Sequence, residues 1–367
     1  MRFTAAKSDL QNAVSTVIRA VPSHTTMTIL ECILIEARNN LLIMTANDME
    51  MGIETHIHAS VEEEGVIALD AKLFSEIVRK FPDDRVYFES DSNHQVLIRS
   101  GKARFQIGGR EGEEFPELPS IERDESVTLS QLTLKSLIQD TIFSTASGEN
   151  NKIMTGELFE IRGDILRIAA LDGHRIAMRR VAIRGNYQDR RVIVPGKTLT
   201  DISRILSGEM DDLVNLFFAR NHIVFEIPGT IVVSRLIDGD YFNVDQMMSS
   251  DYDTKITVNR ALLMGCVDRA SLFVREGDKK PIIVEVEDQE MKLSIDSPMG
   301  SMNEELDIEK EGKDLVIGFN PRFIMDALKA VSDENVTLYL LNPRAPLIMR
   351  DDDQSYTYLI LPVNFTR

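Results

Sequence analysis

Three stretches of the chain alternate apolar and polar residues in the same way, and each has a turn near its middle. The stretches read ILIEARNNLLIMTAND (33–48), ELFEIRGDILRIAALD (157–172) and IIVEVEDQEMKLSIDS (282–297). Alternation with a period of two indicates half-buried β-strands, so each stretch is predicted to form a β-hairpin. Asp48 and Asp172 end the first two stretches 124 residues apart, which indicates an internal repeat.

Apolar residues at helical spacing occur twice within each repeat, each time directly after a short strand pattern. The helices are predicted over 7–20, 71–81, 131–143, 196–207, 259–272 and 321–331. Lys72, Lys197 and Arg322 open three of them at intervals of 125 residues. Because three kinds of element keep their order and spacing, we expect an α+β fold of three similar domains, each made of two strand–helix–strands halves. The predicted domains are 1–121, 122–250 and 251–367, joined by linkers at 111–125 and 249–254.

The composition limits the classes of protein to which the chain can belong. A chain of 367 residues with 43% hydrophobic residues can bury two or three cores. The two cysteines, Cys32 and Cys266, lie in apolar runs, which is typical of a reducing compartment, and the chain shows neither a signal-peptide pattern nor an apolar run of membrane-spanning length. We therefore expect a cytoplasmic protein with no membrane partner.

The net charge of −18 argues against nucleic-acid binding if the charge is evenly spread. It is not evenly spread, because the six predicted helices carry twelve basic and only six acidic side chains. If those helices faced one side, that side would attract phosphate while the strands repelled it. The sequence has no base-reading motif, so this pattern predicts at most a weak contact that does not depend on nucleotide sequence.

Asp172 and His174, in ALDGHRIAM (170–178), are the residues most suggestive of acid–base catalysis. Adjacent residues on a turn usually point apart, and the equivalent turn of the first repeat, Asp48-Met49-Glu50, has no histidine. A structural or binding role is therefore favoured, and a hydrolase using Asp172 and His174 is the alternative.

Other candidate motifs are weaker. His56 and His58 lie on one face of a predicted strand, but no third ligand stands at a recognisable spacing. PGKT (195–198) lacks the first glycine of a phosphate-binding loop, because Arg191 occupies that position. The prediction is therefore that the protein holds no metal and no cofactor.

Several segments together resemble the β subunits of bacterial DNA polymerase III, the sliding-clamp family. They are MRFT at the start, ANDMEMGIE (46–54), LDGHRIA (171–177), VIVPGKTL (192–199) and YLILPV (358–363), and the resemblance runs through the whole chain in order. It implies a non-catalytic processivity factor whose three domains pair head to tail with a second copy in a closed ring. Helices would line a central hole around duplex DNA, with sheets outside. YFNV (241–244) and the long C-terminal end depart from the family's usual pattern.

The resemblance also implies three groups of functional residues. The first is a pocket for short peptide motifs of the replicative polymerase subunit, the clamp loader and repair proteins, at Met154, Leu171, Gly173, His174, Arg175, Ile176, Phe242, Met247, Pro346, Leu359, Leu361, Pro362 and Val363. The second faces DNA and comprises His24, Lys72, Arg79, Lys197, Arg204 and Arg322. The third forms the homodimer interface and comprises Lys102, Arg104, Phe105, Ile107, Leu272, Phe273, Glu304 and Glu305, the two glutamates meeting Lys102 or Arg104. A monomeric adaptor is a further alternative.

Overall fold

The computed structural model describes residues 1–123, 125–148, 151–248, 251–274 and 280–365. The chain divides into two compact units, one of residues 1–132 with 204–236 and the other of residues 133–203 with 237–367. No helix within the described ranges is long and apolar enough to cross a lipid bilayer. Cys32 and Cys266 are buried free thiols.

All six predicted helices are confirmed, and each follows a strand directly or after one residue. All six end before the predicted residue, and after two of them the chain tightens into the 3₁₀ turns Ile18–Ala20 and Ile142–Ser144. A seventh helix, α5, has only four residues and was not predicted. The α-helices are α1 (Lys7–Val17), α2 (Ala71–Arg79), α3 (Gln131–Gln139), α4 (Gly196–Ile205), α5 (Val244–Met247), α6 (Arg260–Ser271) and α7 (Pro321–Lys329).

Side-chain caps explain where several helices begin. Asp70 accepts a hydrogen bond from the Leu73 N–H at 2.7 Å at the start of α2, and Asn259 accepts one from Leu262 at 3.0 Å at the start of α6. Asn320 caps α7, which continues with a proline at its first position. Each cap satisfies a backbone donor that the first helical turn leaves without a partner.

The first unit contains two antiparallel sheets. One has the order β5-β1-β7-β8-β9 and the other β10-β13-β14-β15-β4-β3-β2-β6. The Phe3 and Phe88 rings stack at 4.6 Å in its core. The strands are β1 (Arg2–Ala6), β2 (Cys32–Arg38), β3 (Leu41–Asn47), β4 (Met51–His58), β5 (Ser60–Glu63), β6 (Gly65–Asp70), β7 (Arg85–Ser90), β8 (Gln95–Ser100), β9 (Ala103–Gly108), β10 (Ser126–Ser130), β13 (Leu213–Phe218), β14 (His222–Ile227) and β15 (Thr230–Arg235).

The second unit also contains two antiparallel sheets, of order β11-β12-β24-β23-β22-β16-β20 and β19-β18-β17-β21. Its main core packs α6 and α7 side chains such as Cys266 and Leu328 against strand residues such as Leu293 and Phe319. The strands are β11 (Gly156–Leu171), β12 (Arg175–Pro195), β16 (Thr254–Asn259), β17 (Ile282–Glu287), β18 (Glu290–Ser297), β19 (Gly300–Asp307), β20 (Glu309–Gly312), β21 (Leu315–Phe319), β22 (Asn335–Leu340), β23 (Leu347–Arg350) and β24 (Tyr356–Ile360).

Two of the three predicted hairpins are β2–β3 and β17–β18. The middle one differs, because β11 runs as one assigned strand from Gly156 to Leu171. Its pairing with β12 is irregular on both sides of Gly163, where the sequence predicts the turn. Gly163 has a φ of +60°, in the left-handed region that favours glycine. The hairpin predicted over 157–172 is therefore wrong, and Gly163 marks an irregularity in the β11–β12 ladder.

The two compact units do not follow the predicted domain boundaries, since the middle domain, 122–250, is divided between them. Strand pairing across those boundaries explains the difference. In the first unit β15 pairs with β4 from Thr230 to Ser234, and in the second β12 pairs with β24 from Arg175 to Arg179. The boundaries at 121/122 and 250/251 stay predictions. Residues 124 and 249–250 of the predicted linkers lie outside the described residues.

Candidate functional site

The turn between β11 and β12 is built around the carboxylate of Asp172. Its Oδ1 accepts hydrogen bonds from the backbone N–H groups of His174 at 3.0 Å and Arg175 at 3.2 Å. Its Oδ2 accepts one from Nε of Arg175 at 2.9 Å. Gly173 between them has a φ of +87°. Asp172 thus organises the turn, and its bonds are to backbone and to arginine, which is the arrangement of an Asx-turn.

Arg175 joins this turn to two other elements of the same unit. Its Nη1 donates to Oδ2 of Asp326 on α7 at 2.6 Å, and its Nη2 donates to the carbonyl of Phe143. The guanidinium carbon lies 4.4 Å from the ring centre of Phe323 and 5.3 Å from that of Phe143. Only 12% of the side chain is exposed. Charge-assisted bonds and cation–π contacts together fix the turn against α7.

An apolar cavity of about 230 Å³ opens beside this turn. His174 is exposed at its edge and its ring lies 6.2 Å from that of Phe323. The apolar cluster beneath includes Leu158, Tyr241 and Val244. The structure brings eleven of the thirteen predicted pocket residues to the wall of this one cavity: Met154, Leu171, Gly173, His174, Arg175, Ile176, Phe242, Met247, Pro346, Leu359 and Leu361.

Pro362 and Val363 do not line this cavity. Pro362 borders an adjacent open cleft with Arg344, Leu361 and Asn364. The Val363 N–H donates to the Gly318 carbonyl at 2.8 Å, and the Leu361 N–H donates to the His174 carbonyl at 2.8 Å. The described part of the C-terminal segment therefore leaves the cavity at Leu361 and continues along β21. Residues 366–367 lie outside the described residues.

The six residues predicted to face DNA are all exposed. Lys72, Lys197 and Arg322 lie in the first turns of α2, α4 and α7, and His24 lies in the loop before the 3₁₀ turn Thr28–Glu31. Arg79 forms an ion pair with Glu76 on the same helix. Arg204 lies near the end of α4. The assignment of these residues to DNA stays a prediction.

The predicted dimer residues lie on two edge strands and one helix end. In the first unit β9, with Lys102 just before it and Arg104, Phe105 and Ile107 within it, is the last strand of its sheet. In the second unit β19 is likewise terminal. Leu272, directly after α6, is 71% exposed, and Phe273 lies beside Gly300.

The two glutamates of β19 have partners within the chain. Glu304 forms a two-point ion pair with Arg269, whose Nε lies 2.8 Å from Oε2, and this hydrogen bond holds the pKa of Glu304 below its ordinary value. Glu305 lies 3.8 Å from Nζ of Lys292. The predicted contacts of Glu304 and Glu305 with Lys102 or Arg104 stay predictions, and they would compete with these pairs.

The weaker motifs have ordinary structural explanations. Nε2 of His56 lies 2.8 Å from Oε1 of Glu54, so this histidine takes part in a side-chain bond on the strand surface, and His58 is exposed. Within the described ranges no group of three or more His, Cys, Asp or Glu side chains is arranged to hold a metal ion. The sequence analysis missed Phe143, Phe323 and Asp326, because each meets the turn from a distant part of the chain.

Comparison with known proteins matches the whole chain to one family. Three family models match in succession: the N-terminal domain of the DNA polymerase III beta subunit at residues 1–119, its central domain at 128–243 and its C-terminal domain at 245–364. A beta sliding clamp of Staphylococcus epidermidis is 32% identical over 374 residues, covering 99% of each chain.

Solved structures are similar over the same length. A putative DNA polymerase III beta subunit from Eubacterium rectale is 53% identical, with a TM-score of 0.96 over 100% of this chain and 99% of that one. The DNA polymerase sliding clamp of Bacillus subtilis is 32% identical, with a TM-score of 0.96 and full coverage of both chains. The predicted three-domain α+β fold is thereby confirmed.

Proposed function

This chain belongs to the family of DNA polymerase III beta subunits, and we propose that it is a processivity factor that encircles duplex DNA and tethers replication and repair proteins to it. The observation that carries the proposal is the succession of three beta-subunit domain matches, in order, over nearly the whole chain. In the proposal the domains 1–121, 122–250 and 251–367 pair head to tail with a second copy, and the ring acts in the cytoplasm without metal, cofactor or catalysis.

The distribution of charge supports a weak contact with DNA. Lys72, Lys197 and Arg322 recur at the same position of three helices and are exposed, whereas the chain as a whole carries −18. A few cations on the inner surface would hold phosphates without sequence preference, and the acidic remainder would keep DNA off other surfaces. Retention would then come from the closed ring, so the ring could slide.

Two edge strands support assembly with a second copy. β9 and β19 each end a sheet, and a strand edge that is not paired is a template for pairing with another chain. The exposed Leu272, at the end of α6, adds an apolar contact at the second edge. In the proposal β9 of one copy pairs with β19 of the next, which closes the ring.

The apolar cavity supports binding of short peptide motifs from the replicative polymerase subunit, the clamp loader and repair proteins. Its walls are mostly methionine, leucine, isoleucine, phenylalanine and proline side chains. Leucine and phenylalanine side chains of a partner would be buried there, each Å² removed from water contributing about 25 cal/mol. Because Asp172 is held by Arg175 and by the backbone of its own turn, the geometry favours this reading over a hydrolase that uses Asp172 and His174.

The test of the proposal is retention on DNA of different topology. The protein is loaded onto nicked circular DNA by a clamp loader with ATP, and the complex is isolated by gel filtration before and after one restriction cut. We expect the protein to remain on the circle and to be lost from the linear form within minutes. Equal loss from both forms would contradict the proposal, and a sedimentation mass of one chain would favour a monomeric adaptor.

A second measurement tests peptide binding by the cavity independently of DNA retention by the ring. We expect His174→Ala to weaken binding of a fluorescein-labelled peptide with adjacent Leu and Phe residues several-fold, and to leave retention on circular DNA unchanged. The exposed His58→Ala, outside the cavity, is the matched control. A variant that keeps full peptide affinity would show that the cavity edge at His174 takes no part in binding.

A further inference from the structure

One wall of the cavity belongs to a short segment whose conformation is not stable by itself. Residues 241–247 supply Phe242 and Met247 to the wall. The only helix in this segment is the single turn of α5, and Asn243 before it makes no side-chain cap hydrogen bond. Isolated helices of this length are not stable in water, because the free energy needed to nucleate a helix exceeds the stabilisation that one turn of hydrogen bonds provides. The position of the wall must therefore be set by contacts with the rest of the unit.

Buried side chains anchor the segment at two points. Tyr241 and Val244 are 5% and 1% exposed and belong to the apolar cluster beneath the cavity. They anchor the segment in the core. The orientation of the Phe242 backbone and of the turn that carries Met247 depends on other groups. Two arginines of β11 and β12 supply those groups.

Arg191 on β12 binds the backbone at the first wall residue. Its Nη2 donates to the carbonyl oxygens of Tyr241 and Phe242, each at 3.1 Å. Both acceptors belong to consecutive residues, so one guanidinium fixes the direction of the chain on either side of the Phe242 Cα. A guanidinium is suited to this because its donors lie in a rigid plane.

Arg167 on β11 binds the turn that carries the second wall residue. Its two terminal nitrogens pair with the two carboxylate oxygens of Asp245, with Nη2 to Oδ2 at 3.1 Å. Arg167 is also paired with the nearly buried Glu160, so its own position is fixed from behind. The hydrogen bond from Arg167 holds the pKa of Asp245 below its ordinary value. Asp245 lies in the single turn of α5, two residues before Met247.

We propose that Arg167 and Arg191 are positioning residues that hold the wall segment 241–247 in place and so set the affinity of the cavity for peptide ligands. The proposal rests on the proposed function only for the nature of the ligand. Neither arginine is among the residues that line the cavity, so a loss of affinity in their variants would be transmitted through Phe242 and Met247.

The test combines peptide affinity with a direct view of the wall. Full-length Arg191→Met and Asp245→Ala are labelled with ¹³C at the methionine methyl groups, and the same Leu-Phe peptide is titrated by fluorescence anisotropy. We expect each variant to bind about 3- to 10-fold more weakly, mainly through faster dissociation. The Met247 methyl signal should shift and narrow, while that of Met154, which also lines the cavity but lies outside residues 241–247, keeps its position. Asp245→Asn, which keeps one hydrogen-bond acceptor, should be intermediate.

The controls separate positioning from loss of fold. Arg184→Met removes another exposed arginine of β12 and should change neither the affinity nor the Met247 signal. The melting temperature of every variant should stay within a few degrees of the unsubstituted chain, because Tyr241 and Val244 remain buried. Folded variants with unchanged affinity and an unchanged Met247 signal would overturn the proposal. A peptide that fails to bind even the unsubstituted chain would instead contradict the proposed function, and the Met247 signal would still report whether the arginines order the wall.

Discussion

The β3–β4 turn of the first repeat and the β11–β12 turn of the second have the same backbone but different side chains. In the first, Oδ1 of Asp48 accepts from the N–H groups of Glu50 at 3.0 Å and Met51 at 2.7 Å. In the second, Asp172 makes the same two bonds to the residues that follow Gly173. The middle residue is left-handed in both, with φ of +72° at Met49 and +87° at Gly173. An aspartate and a left-handed residue therefore specify the turn, and they carry no functional information by themselves.

The three residues after the aspartate differ, and the contacts of the turns differ most at the residue that closes each one. Met51 closes the first turn as a buried apolar side chain. Arg175 closes the second and reaches Asp172, Asp326, Phe143 and Phe323 through its guanidinium. The repeat thus keeps the backbone of the turn, and Arg175 connects the second turn with α7. His174 in the same turn lines the cavity.

The largest expected effect on stability comes from replacing Arg175, which closes the second turn, with the methionine that closes the first. Arg175→Met removes a partly buried cation and leaves Asp172 and Asp326 without it, and we expect the free energy of unfolding to fall by about 3 kcal/mol. Urea unfolding followed by circular dichroism measures this loss. The matched control is Met51→Leu, a volume-conserving change that should cost less than about 1.5 kcal/mol. Equal losses in the two variants would show that Arg175 stabilises the turn by its stem alone.

A second difference between the repeats lies at the start of the aligned stretches, where Ile33 of the first corresponds to Glu157 of the second. Both side chains are fully buried. Oγ1 of Thr141 lies 2.7 Å from the Leu137 carbonyl and 2.9 Å from Oε1 of Glu157. The Thr141 hydroxyl donates to Oε1 of Glu157, whereas Oε2 is buried and has no hydrogen-bond partner among the described residues. Burial outweighs the single hydrogen bond and raises the pKa of Glu157 to about 8, so the side chain is a neutral carboxylic acid below that pH.

This assignment predicts a pH dependence that Glu157→Gln removes. Between the ordinary pKa of about 4.5 and the folded value of about 8, the folded chain holds a proton that the unfolded chain releases. The free energy of unfolding should therefore fall by about 1.4 kcal/mol per pH unit in this window, and level off above it. The measurement is urea unfolding of both chains at pH 5, 6, 7 and 8. Parallel pH profiles would mean that Glu157 ionises in the folded protein as easily as in the unfolded one.

The sequence predicts what local patterns determine. The six helices and the Asp172 turn depend on residues within a few positions of one another, and the structure contains them. The ion pairs of Arg167 with Asp245 and of Arg175 with Asp326 join residues 78 and 151 positions apart, and no spacing rule relates them. The burial of Glu157 could not be predicted from the sequence either. Alternation of apolar and polar residues does not show which face of a strand is covered by another element. The single turn of α5 is too short to show a helical period.

The smallest expected effect tests the left-handed residue that the two turns share. Gly173→Ala should lower the free energy of unfolding by about 1 kcal/mol, because an L-residue at positive φ is strained, while a methyl group there meets no atom within 4 Å. Met49→Gly should relieve the same strain in the first turn, but its gain should be less than about 1 kcal/mol, because glycine also gives the unfolded chain more freedom. Gly148→Ala, at an open position without positive φ, is the control and should change stability by less than about 0.5 kcal/mol. If Gly173→Ala leaves the free energy of unfolding unchanged, the second turn can relax around the methyl group. The glycine would then be explained by access of a peptide to the cavity and not by the shape of the turn.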